Sequence, residues 1–370
     1  MPVYIFIGTT AEFIKISPVI KELRRNHVQF CLITSGQGKI NFEEFRPYLG
    51  PIKADISFEH KGEKSSTLHF AVWAVRTLLV SLVSLRDVFP KSDRGQTLLV
   101  VHGDTVSSLW GALIAYVYKL KLVHIESGLR SFNFLEPFPE EICRYLLSRV
   151  ARINFCPNQW SVDNLRSRKG IKIDTFQNTL IDIHKFAVSR KIKPPHIPSK
   201  YFVLVIHRQE HVIFDRGKTL RIIKEILNAT PRLPCVFIMH RLTSNFIDSL
   251  GLEDSFLKNK RLILLPRLSY FEFTSLLHNS QFVITDGGSN QEECYYLGKP
   301  CLILRNRTER IEGLGENAVL GGFSTKYIRD FIGNYKQYVR RPIAASASPS
   351  GIIGNYLKDS IRDTSNYGRN

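Results

Sequence analysis

The sequence has no CxxC pair. Its six cysteines, Cys31, Cys143, Cys156, Cys235, Cys294 and Cys301, are scattered, and several sit in apolar runs such as residues 301–304. That excludes a legible zinc module or disulfide framework and points to buried thiols in a reducing compartment. A long apolar run is also missing. Residues 70–85 fall short of the ~20 needed to span a bilayer and contain Arg76, so they read as a buried helix, with a membrane-surface helix as the lesser reading. No basic segment precedes the apolar run at residues 3–7, which therefore reads as a first strand, and the expected location is the cytoplasm. There is no solenoid repeat, low-complexity tract, recognition helix or RNP-like aromatic pattern, so nucleic acid is not an expected partner. Acidic residues are in short supply: 33 against 51 basic ones leaves a net charge of +18, which favours anionic ligands or peripheral contact with anionic membrane.

What is present fits ordered globular domains, with 44% hydrophobic and 23% charged residues over 370 positions. Short β-rich runs alternate with helical patterns, the signature of βα units around a parallel sheet. Strands are expected at 3–7, 28–34, 97–102, 122–126 and 153–157, then at 201–206, 235–239, 261–265, 282–285 and 301–304. Residues 166–200 turn basic and Pro-containing and read as a connector. The expectation is α/β: two Rossmann-like doubly wound domains facing a central cleft. The first is 1–180, the second is 181–343, and 344–370 form a tail packing back on the first. In such sheets, ligands bind beyond the carboxyl ends of the strands.

The chemistry-bearing residues fall at those ends. Strand 97–102 leads into Asp104, strand 122–126 ends at Glu126, and a Pro-Phe-Pro run opens a helix with Glu140 and Arg144. Three converging carboxylates suit proton transfer if burial or mutual repulsion raises one pKa, although Asp104 and Glu140 also suit helix capping. His207 follows the first strand of the second domain, as a proton donor or phosphate contact. Its i, i+4 spacing to His211 lacks an HExxH frame, so no metal is expected. Residues 286–293 (Asp-Gly-Gly-Ser-Asn-Gln-Glu-Glu) place Gly287, Gly288 and Ser289 in a turn before a helix, where free N–H groups hold diphosphate. Glu292 and Glu293 sit in that helix's first turn. Arg305, Arg307 and Arg310 add guanidinium groups nearby.

Taken together, Gly8-Thr9 with Glu12 and Lys15, residues 101–105 (VHGDT), 124–130 (HIESGLR), 137–144 (PFPEEICR), His207-Arg208, 286–293 and 308–310 (TER) resemble the non-hydrolysing UDP-N-acetylglucosamine 2-epimerase family. The resemblance runs from Tyr4 to about Gly322, with an echo at 348–351. It implies the GT-B fold, a homodimer, no cofactor, and elimination of UDP to a 2-acetamidoglucal followed by re-addition with inversion at carbon 2. Asp104, Glu126 and Glu140 would then handle protons. His207 would sit near the diphosphate, Glu293 would hold the ribose and Phe273 would lie beside the uracil. Lys15 and Arg144 would serve the sugar-phosphate pocket, with His240, Gly287, Gly288, Ser289 and Arg310 also contacting the nucleotide.

The sequence departs from the family pattern where phosphates would bind. Thr10 stands in place of an arginine, a loss of about 1.5–3 kcal/mol unless another cation substitutes. Asp286-Gly-Gly-Ser replaces Asp-Ser-Gly-Gly, Gln37-Gly-Lys39 replaces an effector-associated Gln-His-Arg, and Gln177 replaces a glycine. A GT-B glycosyltransferase or a hydrolysing epimerase using the same cleft is the alternative expectation.

Overall fold

The computed structural model describes residues 2–58, 67–89, 94–190, 192, 197–208, 210–230, 232–249, 259–344 and 347–367. The chain divides into two compact units, Met1–Ile183 with Ser346–Asn370, and His184–Ala345.

Unit 1 is built on a seven-stranded, wholly parallel sheet in the order β3-β2-β1-β4-β5-β6-β7. Its strands are β1 (Val3–Ile7), β2 (Phe30–Thr34), β3 (Ile56–Ser57), β4 (Leu98–His102), β5 (Lys121–Ile125), β6 (Ile153–Cys156) and β7 (Ile171–Asp174). β1 and β4 are buried along their whole length, as continuous apolar runs covered on both faces should be. The helices are α1 (Thr10–Arg25), α2 (Arg46–Leu49), α3 (Thr67–Ser84), α4 (Val106–Val117), α5 (Glu140–Val150) and α6 (Gln159–Asn164), while α7 (Leu180–Ser189) begins in unit 1 and continues into unit 2.

Unit 2 repeats the plan with six parallel strands in the order β10-β9-β8-β11-β12-β13. These are β8 (Phe202–Val205), β9 (Cys235–Met239), β10 (Leu262–Pro266), β11 (Val283–Thr285), β12 (Cys301–Ile303) and β13 (Ala318–Leu320). Its helices are α8 (Arg216–Ala229), α9 (Arg241–Ser249), α10 (Tyr270–Asn279), α11 (Gly288–Leu297) and α12 (Thr325–Asn334). One core packs Phe202, Phe237, Phe282 and Phe331; on the other side of the sheet Val203, Val236, Leu276 and Ile303 pack together.

The final helix, α13 (Pro349–Tyr367), returns to unit 1. A Cβ on Gly354 would approach Glu22 Cβ to 2.8 Å, Lys358 Nζ donates to Asn26 Oδ1 over 3.0 Å, and Tyr356 meets Phe155 edge-on.

Two expectations need correcting. The stretch read as a connector contains β7 and α7, with residues 191 and 193–196 outside the described ones. The apolar stretch 70–85 is not wholly buried. From residue 75 on, α3 turns Leu78 and Leu82 towards the core, joined by Leu85 just after it, but exposes Val75, Leu79, Val80 and Val83. Among the described residues no helix is long and apolar enough to cross a membrane.

Candidate functional site

In each sheet the strand order reverses once, between β1 and β4 in unit 1 and between β8 and β11 in unit 2. The loops after a reversed pair part in opposite directions and leave a crevice at the carboxyl ends. The polar clusters of the two units lie at these two places.

In unit 1, β1 ends in a turn whose approach to α4 requires glycine: a Cβ on Gly8 would sit 1.9 Å from Ser107 Oγ. Thr9 caps α1, its hydroxyl accepting from the Glu12 N–H. Glu12 folds back into the turn, almost fully buried, and accepts from Gly8 N (3.0 Å), Thr9 Oγ1 (2.8 Å), Thr105 Oγ1 (2.9 Å) and Ser108 Oγ (3.2 Å). Burial dominates those hydrogen bonds and pushes its carboxyl up to about 7. Glu12 thus fastens the loop after β1 to the loop after β4, which carries Asp104.

Glu126 follows β5 with φ +64°, a left-handed conformation uncommon for a residue with a side chain. Lys15 Nζ lies 2.6 Å from its Oε2, Asn178 Nδ2 donates over 2.7 Å, and His102 Nε2 lies 3.5 Å away. Asp104 is paired with Arg144, which also reaches Glu141 Oε2 at 3.3 Å. Glu141, fully buried, accepts from Arg130 Nε and from the N–H groups of Ser131 and Phe132. Glu140 opens α5 one turn before Arg144. Burial, with added effect from the Asp104 and Glu140 carboxylates, pushes the Cys143 thiol up to about 12. His124 is fully buried, which lowers its pKa, and in its neutral form it donates Nε2–H to Gly103 O over 2.7 Å.

The structure therefore brings together Lys15 with Glu126 and Asp104 with Arg144. Asp104 and Glu126 each face a cation of their own. Thr10, the departure in the β1 turn, donates its hydroxyl to Lys39 O over 3.1 Å. The sequence reading gave no role to Asn178, His102 or Glu141, although His102 lies in the 101–105 motif, Asn178 beside Gln177 and Glu141 in the 137–144 motif.

In unit 2 the centre is Asp286, fully buried after β11. Its Oδ2 accepts from the N–H groups of His207 and Arg208 and lies 2.9 Å from His211 Nδ1, while its Oδ1 is 2.9 Å from His207 Nδ1. Burial acts to raise this carboxyl, yet the two histidines outweigh it and hold it well below the usual carboxylate range. His211 is thus a partner of Asp286. The His207 ring lies 4.9 Å from that of His240, which follows β9; burial first, then His207 and Arg267, pushes His240 down to about 4. Among the described residues no group of three His, Cys, Asp or Glu side chains is disposed to hold a metal.

The Gly287–Gly288 turn is tight. A Cβ on Gly287 would meet Asn290 Oδ1 at 2.6 Å, and one on Gly288 would meet Glu309 Oε1 at 2.6 Å. Ser289 lies half-buried in the first turn of α11, and Glu293 accepts from Asn290 Nδ2 over 3.0 Å. Arg310 and Arg305, expected as open guanidinium groups, are buried in ion pairs with Glu292 and Glu309. Such pairs hold the loop after β12 against α11, because either charge left alone in that interior would be costly. Phe273 packs half-buried on α10 against the core of Leu276, Val283 and Ile303.

Residues 80–336 match the family model described as UDP-N-acetylglucosamine 2-epimerase. The chain is 31% identical to the UDP-2,3-diacetamido-2,3-dideoxy-D-glucuronate 2-epimerase of Pseudomonas aeruginosa, covering 87% of this chain and 88% of that one. It is 29% identical to the UDP-N-acetylglucosamine 2-epimerase of Methanocaldococcus jannaschii, over 95% and 98%. A crystal structure of the M. jannaschii UDP-GlcNAc 2-epimerase in complex with UDP-GlcNAc and UDP superposes with a TM-score of 0.83 at 25% identity, over 97% and 100%. With two parallel-sheet Rossmann-like units and the motif residues seated at both switch points, the chain belongs to the UDP-N-acetylglucosamine 2-epimerase family.

Proposed function

We propose that the protein interconverts UDP-GlcNAc and UDP-ManNAc, or a closely related UDP-sugar pair, by UDP elimination and re-addition, for synthesis of a surface polysaccharide. The observation that carries this reading is the pairing of Glu126 with Lys15 and of Asp104 with Arg144 at the unit 1 switch point. Removing a weakly acidic C2 proton needs a positioned base, and expelling a diphosphate needs preorganised positive charge. On this reading Glu126, Asp104 and Glu140 move protons, Lys15 and Arg144 steady charge on the sugar-phosphate, and His207 faces the diphosphate. His240, Gly287, Gly288, Ser289, Glu293 and Phe273 form the nucleotide side, with Arg310, occupied by Glu292, backing the Gly287–Gly288 turn. The enzyme works in the cytoplasm as a homodimer, with peripheral contact at the inner membrane face. The exposed Val75, Leu79, Val80 and Val83 stripe on α3 supports a second copy, which would take this apolar surface out of water.

Incubation with UDP-GlcNAc in heavy water tests the reaction. Deuterium at C2 together with new UDP-ManNAc is the expected NMR result, and no deuterium at C2 would overturn it. Free UDP accumulating throughout would indicate the hydrolysing reaction, and turnover only with an acceptor would indicate a transferase. The same assay with the diacetamido-glucuronate nucleotide decides between the two named substrate types.

A further inference from the structure

A residue with a side chain keeps a left-handed backbone, as Glu126 does, only where its surroundings hold it there. Three elements reach its Oε2: Lys15 Nζ from α1 at 2.6 Å, Asn178 Nδ2 from the turn between β7 and α7 at 2.7 Å, and His102 Nε2 from the end of β4 at 3.5 Å. Of the three, Asn178 never titrates. The turn that aims it is built in steps. Thr175 Oγ1 donates to Cys156 O over 2.9 Å and to Gln177 O over 2.8 Å, and Phe176, with φ +63°, donates its N–H to Asp174 Oδ1 over 2.7 Å. Asn178 then opens α7 as an Asx turn, its Oδ1 accepting from Leu180 N over 3.2 Å and from Thr179 Oγ1 over 3.3 Å. Two donors on the carbonyl end leave the amide one orientation, with Nδ2 towards Glu126, and the side chain is almost fully buried.

We propose that Asn178 is a positioning residue for the proton transfer assigned to Glu126, an inference that rests on the epimerase reading. A carboxylate that takes a proton from carbon must keep an oxygen aimed at it. Donors converging on Oε2 hold the group by that end and so set the direction of Oε1. Lys15 contributes charge on a long, flexible stem, whereas Asn178 contributes direction, because a planar amide anchored at its far end cannot swing. Capping α7 would require only the carbonyl end, which an aspartate supplies equally well. It is the amide nitrogen that distinguishes asparagine here. Lys15, His102 and His124 are the titratable groups that face Glu126 from α1, β4 and β5, and the variants below leave all three in place.

Asn178→Asp separates the two roles. Its carboxylate still accepts from the Leu180 N–H and keeps the turn, but it offers Glu126 no hydrogen bond and adds a like charge. With UDP-GlcNAc as substrate, kcat is expected to fall roughly 10- to 100-fold with KM little changed. The acid limb of the kcat profile should move up by about one to two pH units, since the ionised form of Glu126 has lost a donor. Asn178→Ala, which removes the donor without adding charge, should show a smaller shift of that limb. Circular dichroism controls for folding. A native kcat and acid limb in Asn178→Asp overturns the proposal and leaves Asn178 as the cap of α7, and a raised KM with unchanged kcat overturns it too. If the native protein turns over no sugar nucleotide, it is the epimerase reading that fails. The hold on Glu126 is then read without turnover, from its carboxyl resonance in protein labelled with carbon-13 glutamate. A titration midpoint higher in Asn178→Asp than in the native protein is expected, and an unmoved midpoint overturns the positioning role.

Discussion

Lys15 Nζ sits 2.6 Å from Glu126 Oε2, and both side chains are almost wholly withdrawn from water. A helix residue and a strand-end residue 111 positions apart thereby share one buried charge pair. Removing one partner strands the other in a low-dielectric interior, so Lys15→Met is expected to destabilise unit 1 by about 3–5 kcal/mol. Lys15→Met combined with Glu126→Gln should recover much of that in a urea titration, while epimerisation stays lost in both. A double variant no more stable than the single would show that the pair contributes little.

Glu12 gives stability a pH dependence with a definite sign. Its carboxyl rises from 4.5 to about 7 on folding, so the folded state keeps the proton longer than the unfolded chain does. The stability this supplies is complete below 4.5 and is lost as pH climbs through 7, an overall change of about 3 kcal/mol. Denaturation midpoints measured across that window should fall for the native protein, and Glu12→Gln should flatten that component. An identical slope in both proteins would place the titrating group elsewhere.

Much of this was legible in sequence because parallel strands buried on both faces announce themselves as apolar runs, and the turns after them carry the chemistry. Asp104, Glu126 and His207 were found that way. Position along the chain says little about which way a side chain turns, however. Arg310 reads as a cation on offer, but it lies buried against Glu292, and α3 reads as buried yet shows water a stripe of valine and leucine. His102 lies within the 101–105 motif and Asn178 beside Gln177, but neither receives a role from the sequence, since that role exists only through contact with Glu126 in three dimensions. The strand β7 was missed because its four residues, Ile-Lys-Ile-Asp, lie in a basic stretch that resembles a linker.

Asp286 organises the unit 2 cluster by accepting from the backbone at 207–208 and from His211. Asp286→Asn removes charge-assisted hydrogen bonds worth about 1.5–3 kcal/mol each, which predicts at least roughly tenfold weaker UDP binding in calorimetry with secondary structure retained. Unchanged affinity would reduce Asp286 to a packing residue.

His240 is pushed down to about 4, so its ring is neutral at physiological pH and offers a hydrogen bond rather than a charge. Its imidazole resonances should stay flat between about pH 5.5 and 8 in an NMR titration, where an ordinary histidine changes charge. A midpoint near neutrality would mean that the ring is not withdrawn from water, nor crowded by His207 and Arg267, as described.

Thr10 opens α1, where unsatisfied N–H groups already favour an anion, but its hydroxyl is turned to the carbonyl of Lys39 rather than carrying a charge. If the turn after β1 receives the diphosphate, a guanidinium there adds a charge-assisted contact that the native chain lacks. Thr10→Arg is then expected to tighten UDP about tenfold or more, against the modest cost of one lost hydrogen bond to Lys39. The sign of the effect is the test. Weaker binding would mean that another cation already fills this place and is displaced by the newcomer, and Lys39→Ala in the native background would then weaken UDP by a similar factor.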